Sequence, residues 1–296
     1  ASNPSPPPPE SSMAPLLRVF RSVWGMKKVV GIQSLVRELQ QQGFAGVEAS
    51  LGDVDRIAGG KANRAQWREA LGEAGLQHVV GVYSSWQDYE GHWEDLPLDE
   101  HVRVLADQMH QAKELNPIHV NCHSGQDTWD TAESEAFFEK ALRAQDDVGF
   151  ACGVSHETHR GRILGNPWRT EKLLKKFPAL QLTGDFSHWF LVSERFLYGT
   201  ERDKQLWRCV IPRTQHLHTR IGGEQKPQMD NPKAVSSQEA VEVHSAIWSE
   251  VFRAQAKAGK EFCSATPEYG PPPYGKSEDT GAIACTEASR IRGLFH

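Results

Sequence analysis

Four polar residues in this chain each close a short apolar run, and helix-sized intervals separate one from the next. They are Glu157 in GVSHETHRGR, Asp185 in LQLTGDFSHW, His218 in QHLHTR and Glu268 in CSATPEYGPPPY. Carboxylates are hard oxygen donors and imidazole is a borderline nitrogen donor, a set that suits one divalent cation such as Mn, Mg, Co or Zn. A cation bound to adjacent oxygens of a carbonyl compound lowers the energy of the charge that develops when a neighbouring C–H proton leaves. Glu157 and Glu268 are the candidate base and acid for moving that proton. The chemistry this suggests is metal-assisted removal and return of a proton beside a carbonyl, through an enediolate.

Residues so distant in sequence meet only if the fold gathers them. Runs such as Leu180 to Leu182 and Ile211 to Leu217 read as buried strands, and the stretches between such runs read as helices. Strands are expected near Leu16 to Phe20, in GVEA ending at Glu48, in HVVGVY, in IHVNCH, before Glu157, before Asp185, over Arg208 to Leu217 and before Glu268. Helices are expected over Gln33 to Gln42, Ala62 to Ala74, Asp99 to Leu115, Thr131 to Val148, Val192 to Leu197 and Gln238 to Ala258. Gly43 and Gly75 stand where left-handed caps end helices. Eight strand slots alternating with helices describe an α/β fold, a single-domain (β/α)8 TIM barrel. In that architecture the C-terminal strand ends share one face, where catalytic residues collect.

Size and composition agree with one such domain. The chain has 296 residues, and single α/β barrels take about 250. No segment approaches the roughly 20 continuous apolar residues of a membrane span. The formal net charge of −5 gives no general attraction to phosphate backbones, so no nucleic-acid partner is expected. The five cysteines lack any C-x-x-C spacing, which fits reduced thiols in an intracellular, cytoplasmic protein. Residues 1–15, ASNPSPPPPESSMAP, are rich in Pro and Ser and read as a disordered leader ahead of a barrel over 16–296.

Five motifs, GFAGVEAS, HETHRGR, GDFSHW, HLHTR and TPEYGPPPY, arrive in an order that resembles the xylose-isomerase-like barrel superfamily. That group contains sugar isomerases, ketose 3-epimerases, cyclitol dehydratases and endonuclease-IV-type enzymes, and the resemblance implies a metal-dependent isomerase or epimerase acting on a sugar or polyol-derived carbonyl compound. The resemblance spans Leu16 to about Tyr274. It implies that Glu157, Asp185, His218 and Glu268 hold one divalent cation and that His188 contacts substrate. Between His216 and His218, which point the same way on a strand, it favours His218, because epimerase-like members ligate through the second histidine of such a pair. Members often dimerise. A dehydratase or lyase acting on a cyclitol or oxidised sugar would use the same cation and a similar base. An endonuclease-IV-type phosphodiesterase needs additional ligands, and its D-x-H pair is missing because Asn231 and Pro232 follow Asp230.

Other residues carry two readings each. Any one of the four acidic or imidazole residues alone would read as a helix cap or loop residue; it is their combination that points to a site. Substrate contacts are expected from His188, His123, Arg220, Trp189 and His216. His123 is alternatively a core histidine, and His159 divides between supporting the site and packing. His156 should point into the helix layer. Arg160, Arg162 and Arg220 stand just past strand ends, where they suit a phosphate, a carboxylate or sugar hydroxyls. Of Trp24, Trp86, Trp129, Trp168 and Trp189, about two are expected to line a pocket. Glu48 suits a salt bridge that holds the ring of strands together.

Overall fold

The structure is a computed structural model that describes residues 14–26, 28–86 and 92–295. The leader expected over 1–15 falls almost wholly outside the described residues. Eight parallel strands close into a barrel in sequence order. They are β1 (Leu16–Ser22), β2 (Gly46–Ser50), β3 (Gln77–Tyr83), β4 (His119–His123), β5 (Gly153–Glu157), β6 (Leu182–Gly184), β7 (Thr214–His218) and β8 (Phe262–Thr266). The outer layer comprises α1 (Ile32–Gln42), α2 (Leu51–Ala58), α3 (Arg64–Glu73), α4 (Leu98–Lys113), α5 (Thr131–Val148) and α6 (Pro167–Lys176). It continues with α7 (Phe186–Ser193), α8 (Glu201–Val210), α9 (Gln238–Lys257) and α10 (Gly281–Phe295). Among the described residues, no helix is long and apolar enough to cross a membrane.

Alternation along the strands sends one set of side chains, mostly apolar, outward to the helices and the other inward, with the polar His78 and His156 among the outward set. On β5, Val154 joins the apolar core and His156 meets Phe138 of α5 at 5.2 Å and Ser124 Oγ at 2.6 Å, the helix-layer position expected of it. The inward residues of the lower barrel form a hydrogen-bonded layer: His119 Nε2 lies 2.6 Å from Ser155 Oγ, which lies 2.5 Å from Thr183 Oγ1. A polar core of this kind stays stable only because its members satisfy one another.

Two expected elements fall elsewhere. The Arg208 to Leu217 strand shrinks to Thr214–His218, because Thr200 and Asp203 build a capping box that starts α8. Leu206, Trp207 and Val210 then bury one face of that helix, and Pro212 stands in the 3-10 turn that follows it. The Val192 to Leu197 helix is instead α7, which starts at Phe186 and ends at Glu194 in a left-handed conformation (φ 50°). Besides α8, three helices went unanticipated: α2, capped by Ser50 Oγ; α6, capped by Asn166 with Pro167 in its first turn; and α10. All five cysteines are free thiols, with Cys122 and Cys263 buried.

Candidate active site

At the C-terminal mouth of the barrel a cavity of about 480 Å³ opens between the strand ends, a volume that suits a small-molecule site. Its wall includes Glu48, Tyr83, His123, His159, His218 and Arg220. Glu268 and Tyr274 contribute from the loop after β8, and Trp24 and Trp86 are the two tryptophans that face it.

Donor atoms of Glu157, Asp185, His218 and Glu268 all lie within 4.8 Å of one another. Glu157 closes β5 and is buried, its Oε2 accepting Asn121 Nδ2 at 2.7 Å and lying 2.9 Å from His123 Nε2. Burial alone would raise its pKa, but His123 and His218 override this and hold the carboxyl well below the ordinary range. Asp185 follows β6 directly and caps α7: Oδ1 accepts the Ser187 N–H at 3.1 Å and the Ser187 hydroxyl at 2.5 Å. Its Oδ2 accepts Arg220 Nη2 at 2.5 Å. Burial pushes this carboxyl up to about 6 despite Arg220, with Glu268 and Glu157 adding to the rise.

His218 closes β7 with its two ring nitrogens in different company. Nε2 lies 2.8 Å from Glu48 Oε1, while Nδ1 stands 3.5 Å from Glu157 Oε2 and 3.3 Å from Glu268 Oε2. Glu48 also meets His216 Nε2 at 3.3 Å, so it ties β2 to β7 across the barrel. Burial would lower the His218 pKa, yet Glu48, Glu268 and Glu157 raise it well above its ordinary value. Glu268 lies two residues beyond β8, and its side chain is 18% exposed.

The set has the marks of a cation site. Oε1 of Glu157 and Nδ1 of His218 are buried without a hydrogen-bond partner. Three carboxylates and Glu48 crowd one imidazole, and Arg220 brings positive charge, donating to Asp185 and at 3.4 Å to Glu268. A divalent ion on hard oxygens and one imidazole nitrogen would use both orphaned atoms and offset the carboxylate charge.

The remaining expected contacts divide. His123 is on the cavity wall, its ring stacked on Tyr83 with centroids 4.4 Å apart. Arg220 also faces the cavity but turns inward, to Ser187 Oγ at 3.2 Å and His188 Nε2 at 2.8 Å. His188 is buried behind His159, 4.0 Å between rings, and burial lowers its pKa well below normal, so it is a neutral imidazole. Two expectations do not hold. Trp189 is fully buried among Phe186 and Trp207 and donates to the Leu164 carbonyl at 2.8 Å, because α7 turns that face toward α8 rather than the cavity. His216 sits below the cavity, bonded to Ser264 Oγ at 2.8 Å and Thr266 Oγ1 at 3.1 Å, and supports Glu48. Sequence reasoning missed Asn121, Tyr83 and Tyr274; the first two could have been found as inward neighbours of His123 and Gly81 on predicted strands.

No family model matches the chain, and no curated protein resembles it in sequence. Solved structures do resemble it in fold. The probable 3-DHS dehydratase AsbF from Bacillus anthracis superposes with a TM-score of 0.61 at 12% identity, covering 93% of this chain and 98% of that one. An IOLI protein with a bound zinc atom gives 0.61 at 9% identity over 94% and 98%. Endonuclease IV from Thermus thermophilus gives 0.54 at 17% identity over 95% and 98%. Closed barrel, strand order and these superpositions together give this chain the eight-stranded α/β barrel fold of those proteins.

Proposed function

We propose that the chain is a divalent-metal-dependent isomerase or epimerase of a sugar or polyol-derived carbonyl compound. The observation that carries this reading is the convergence of Glu157, Asp185, His218 and Glu268 within 4.8 Å beneath the cavity. Those four would hold the cation, which supplies Lewis-acid stabilisation of negative charge on substrate oxygens.

The chain's own residues do the rest. Glu157 is kept anionic by His123 and His218, the state a base needs before it takes a proton from carbon. Glu268 approaches from a different strand end and is the more exposed of the two. A carbon between them presents one face to each carboxylate: removal on one face and return on the other inverts it, whereas transfer along one face moves the carbonyl. Arg220 donates to His188 Nε2, which leaves the imidazole proton on Nδ1, where it has no protein partner. That N–H lies behind His159 and off the cavity wall, so His188 acts on the site through Arg220 and His159. Trp24, Trp86 and Tyr83 provide ring faces for sugar C–H surfaces.

A dehydratase acting on a cyclitol or oxidised sugar uses the same base, and the likeness to a probable 3-DHS dehydratase supports keeping it as the second reading. Both are tested by loading the purified protein with Mn, Mg, Co or Zn and screening ketoses, cyclitols and oxidised sugars in heavy water. Deuterium uptake without water loss is expected; net water loss selects the dehydratase. Glu157→Gln should cut uptake by about 10²- to 10⁴-fold while ligand still binds. Uptake at the wild-type rate in that variant would remove Glu157 from the chemistry.

A further inference from the structure

Three arginines follow strand ends near the cavity, and the structure gives each a different set of partners. Arg220 is taken up by Asp185, Ser187 and His188. Arg162 donates to the Gly125 carbonyl at 3.2 Å and lies over Trp86, 4.6 Å from the ring centre. Arg160 is half-buried, and its guanidinium has no hydrogen bond or ion pair among the described residues. The guanidinium lies over the Tyr274 ring, with Cζ 4.9 Å from its centre. Tyr274 lines the cavity, and the Arg220 guanidinium lies 5.0 Å from the same ring.

The backbone pins this segment in place. The Arg160 carbonyl accepts His159 Nδ1, Gly161 turns with φ 74°, and a Cβ on Gly165 would come within 2.8 Å of Arg160 Cα. A partly desolvated cation normally finds a carboxylate, and the described carboxylates at this mouth already have partners in His218, His123, Arg220 and Arg56. Arg160 is therefore a planar, charged donor set that shares the Tyr274 ring with a second guanidinium, and none of the described residues receives its N–H groups. Oxyanions with two or three equivalent oxygens match that fork best.

We propose that Arg160 receives an anionic group of the substrate, a carboxylate or a phosphate, so that the cavity takes acidic sugars in preference to neutral ones. The proposal rests on reading the cavity as a sugar site. The test is calorimetric binding of glucuronate, fructose 6-phosphate and fructose to the full, metal-loaded chain, beside Arg160→Gln and Arg160→Lys. The wild type should favour one of the two anions over fructose by about tenfold or more, as a charge-assisted hydrogen-bonded pair implies. Arg160→Gln should erase the ratio and Arg160→Lys should keep part of it. Preference for glucuronate assigns a carboxylate, and preference for fructose 6-phosphate assigns a phosphate. Equal affinity for all three, no anion binding, or a ratio that survives in Arg160→Gln overturns the proposal. Heavy-water exchange separates the two readings. Uptake into a neutral sugar with no anion preference leaves the isomerase and sinks this inference, whereas anion preference without uptake into any compound does the reverse.

Discussion

Glu48→Gln is the substitution that probes the site most sharply, because it changes a hydrogen-bond polarity and almost no volume. The wild-type carboxylate accepts from His218 Nε2 at 2.8 Å and from His216 Nε2 at 3.3 Å. The bond to Glu48 holds the Nε2 proton of His218, so Nδ1, which faces Glu157 and Glu268, is the nitrogen whose proton a cation would displace. A glutamine amide accepts at one atom and donates at the other, so one histidine loses its acceptor. If His218 is the one that turns, its proton moves to Nδ1, where it bonds a carboxylate and blocks coordination. The lost charge-assisted bond is of order 1.5–3 kcal/mol, and losing a carboxylate that orients a ligating imidazole costs about 10- to 100-fold in metal affinity. Competition between the protein and a chromogenic chelator measures that affinity directly, and circular dichroism checks the fold. Cation affinity within twofold of wild type in a folded Glu48→Gln protein would refute the orienting role.

Gly270→Ala should raise KM on the order of tenfold and lower stability by about 1–3 kcal/mol, since the new Cβ would stand 2.2 Å from the Trp24 ring on the cavity wall; an unchanged KM beside a lowered melting temperature would detach Trp24 from binding. Stability should also fall with acid well above the carboxylate range. Burial lowers the pKa of His78 and His244 to about 3, while unfolded imidazole titrates near 6.5. The unfolded chain therefore binds more protons between those values, so their contribution is full above pH about 6.5 and is lost as pH drops toward 3, each at up to about 1.4 kcal/mol per pH unit. Urea melts at pH 7 and pH 5 should show a smaller difference in His244→Gln than in wild type, and an identical difference would be evidence against this origin.

The barrel and the four converging donors were legible because each donor stands at or just past the end of a short buried strand, where position along the chain determines which face it reaches. Glu48 could be suspected of bracing the ring on that basis, whereas the choice of His218 over His216 rested on the family resemblance. The stretch from Trp207 to Leu217 was not legible: Trp207, Val210 and Ile211 are apolar in either a helix or a strand, and the capping pair Thr200 and Asp203 decides for the helix from outside the run. Trp189 was misplaced for a related reason, since a residue just past a strand end can be swung to the outer layer by the helix that starts there. Arg160 and Tyr274 lie 114 residues apart on separate loops, and nothing local to either announces the other.

Asp185 divides its duties between its two oxygens. One is committed to architecture, receiving the Ser187 backbone and hydroxyl where α7 begins, and the other faces Arg220 and the converging carboxylates. Truncating this side chain would therefore fray a helix and strip the site of a donor in a single stroke, and no loss of activity in such a variant would say which had mattered. Any replacement for this aspartate must begin a helix as well as offer an oxygen to the converging donors, which leaves very few residues eligible.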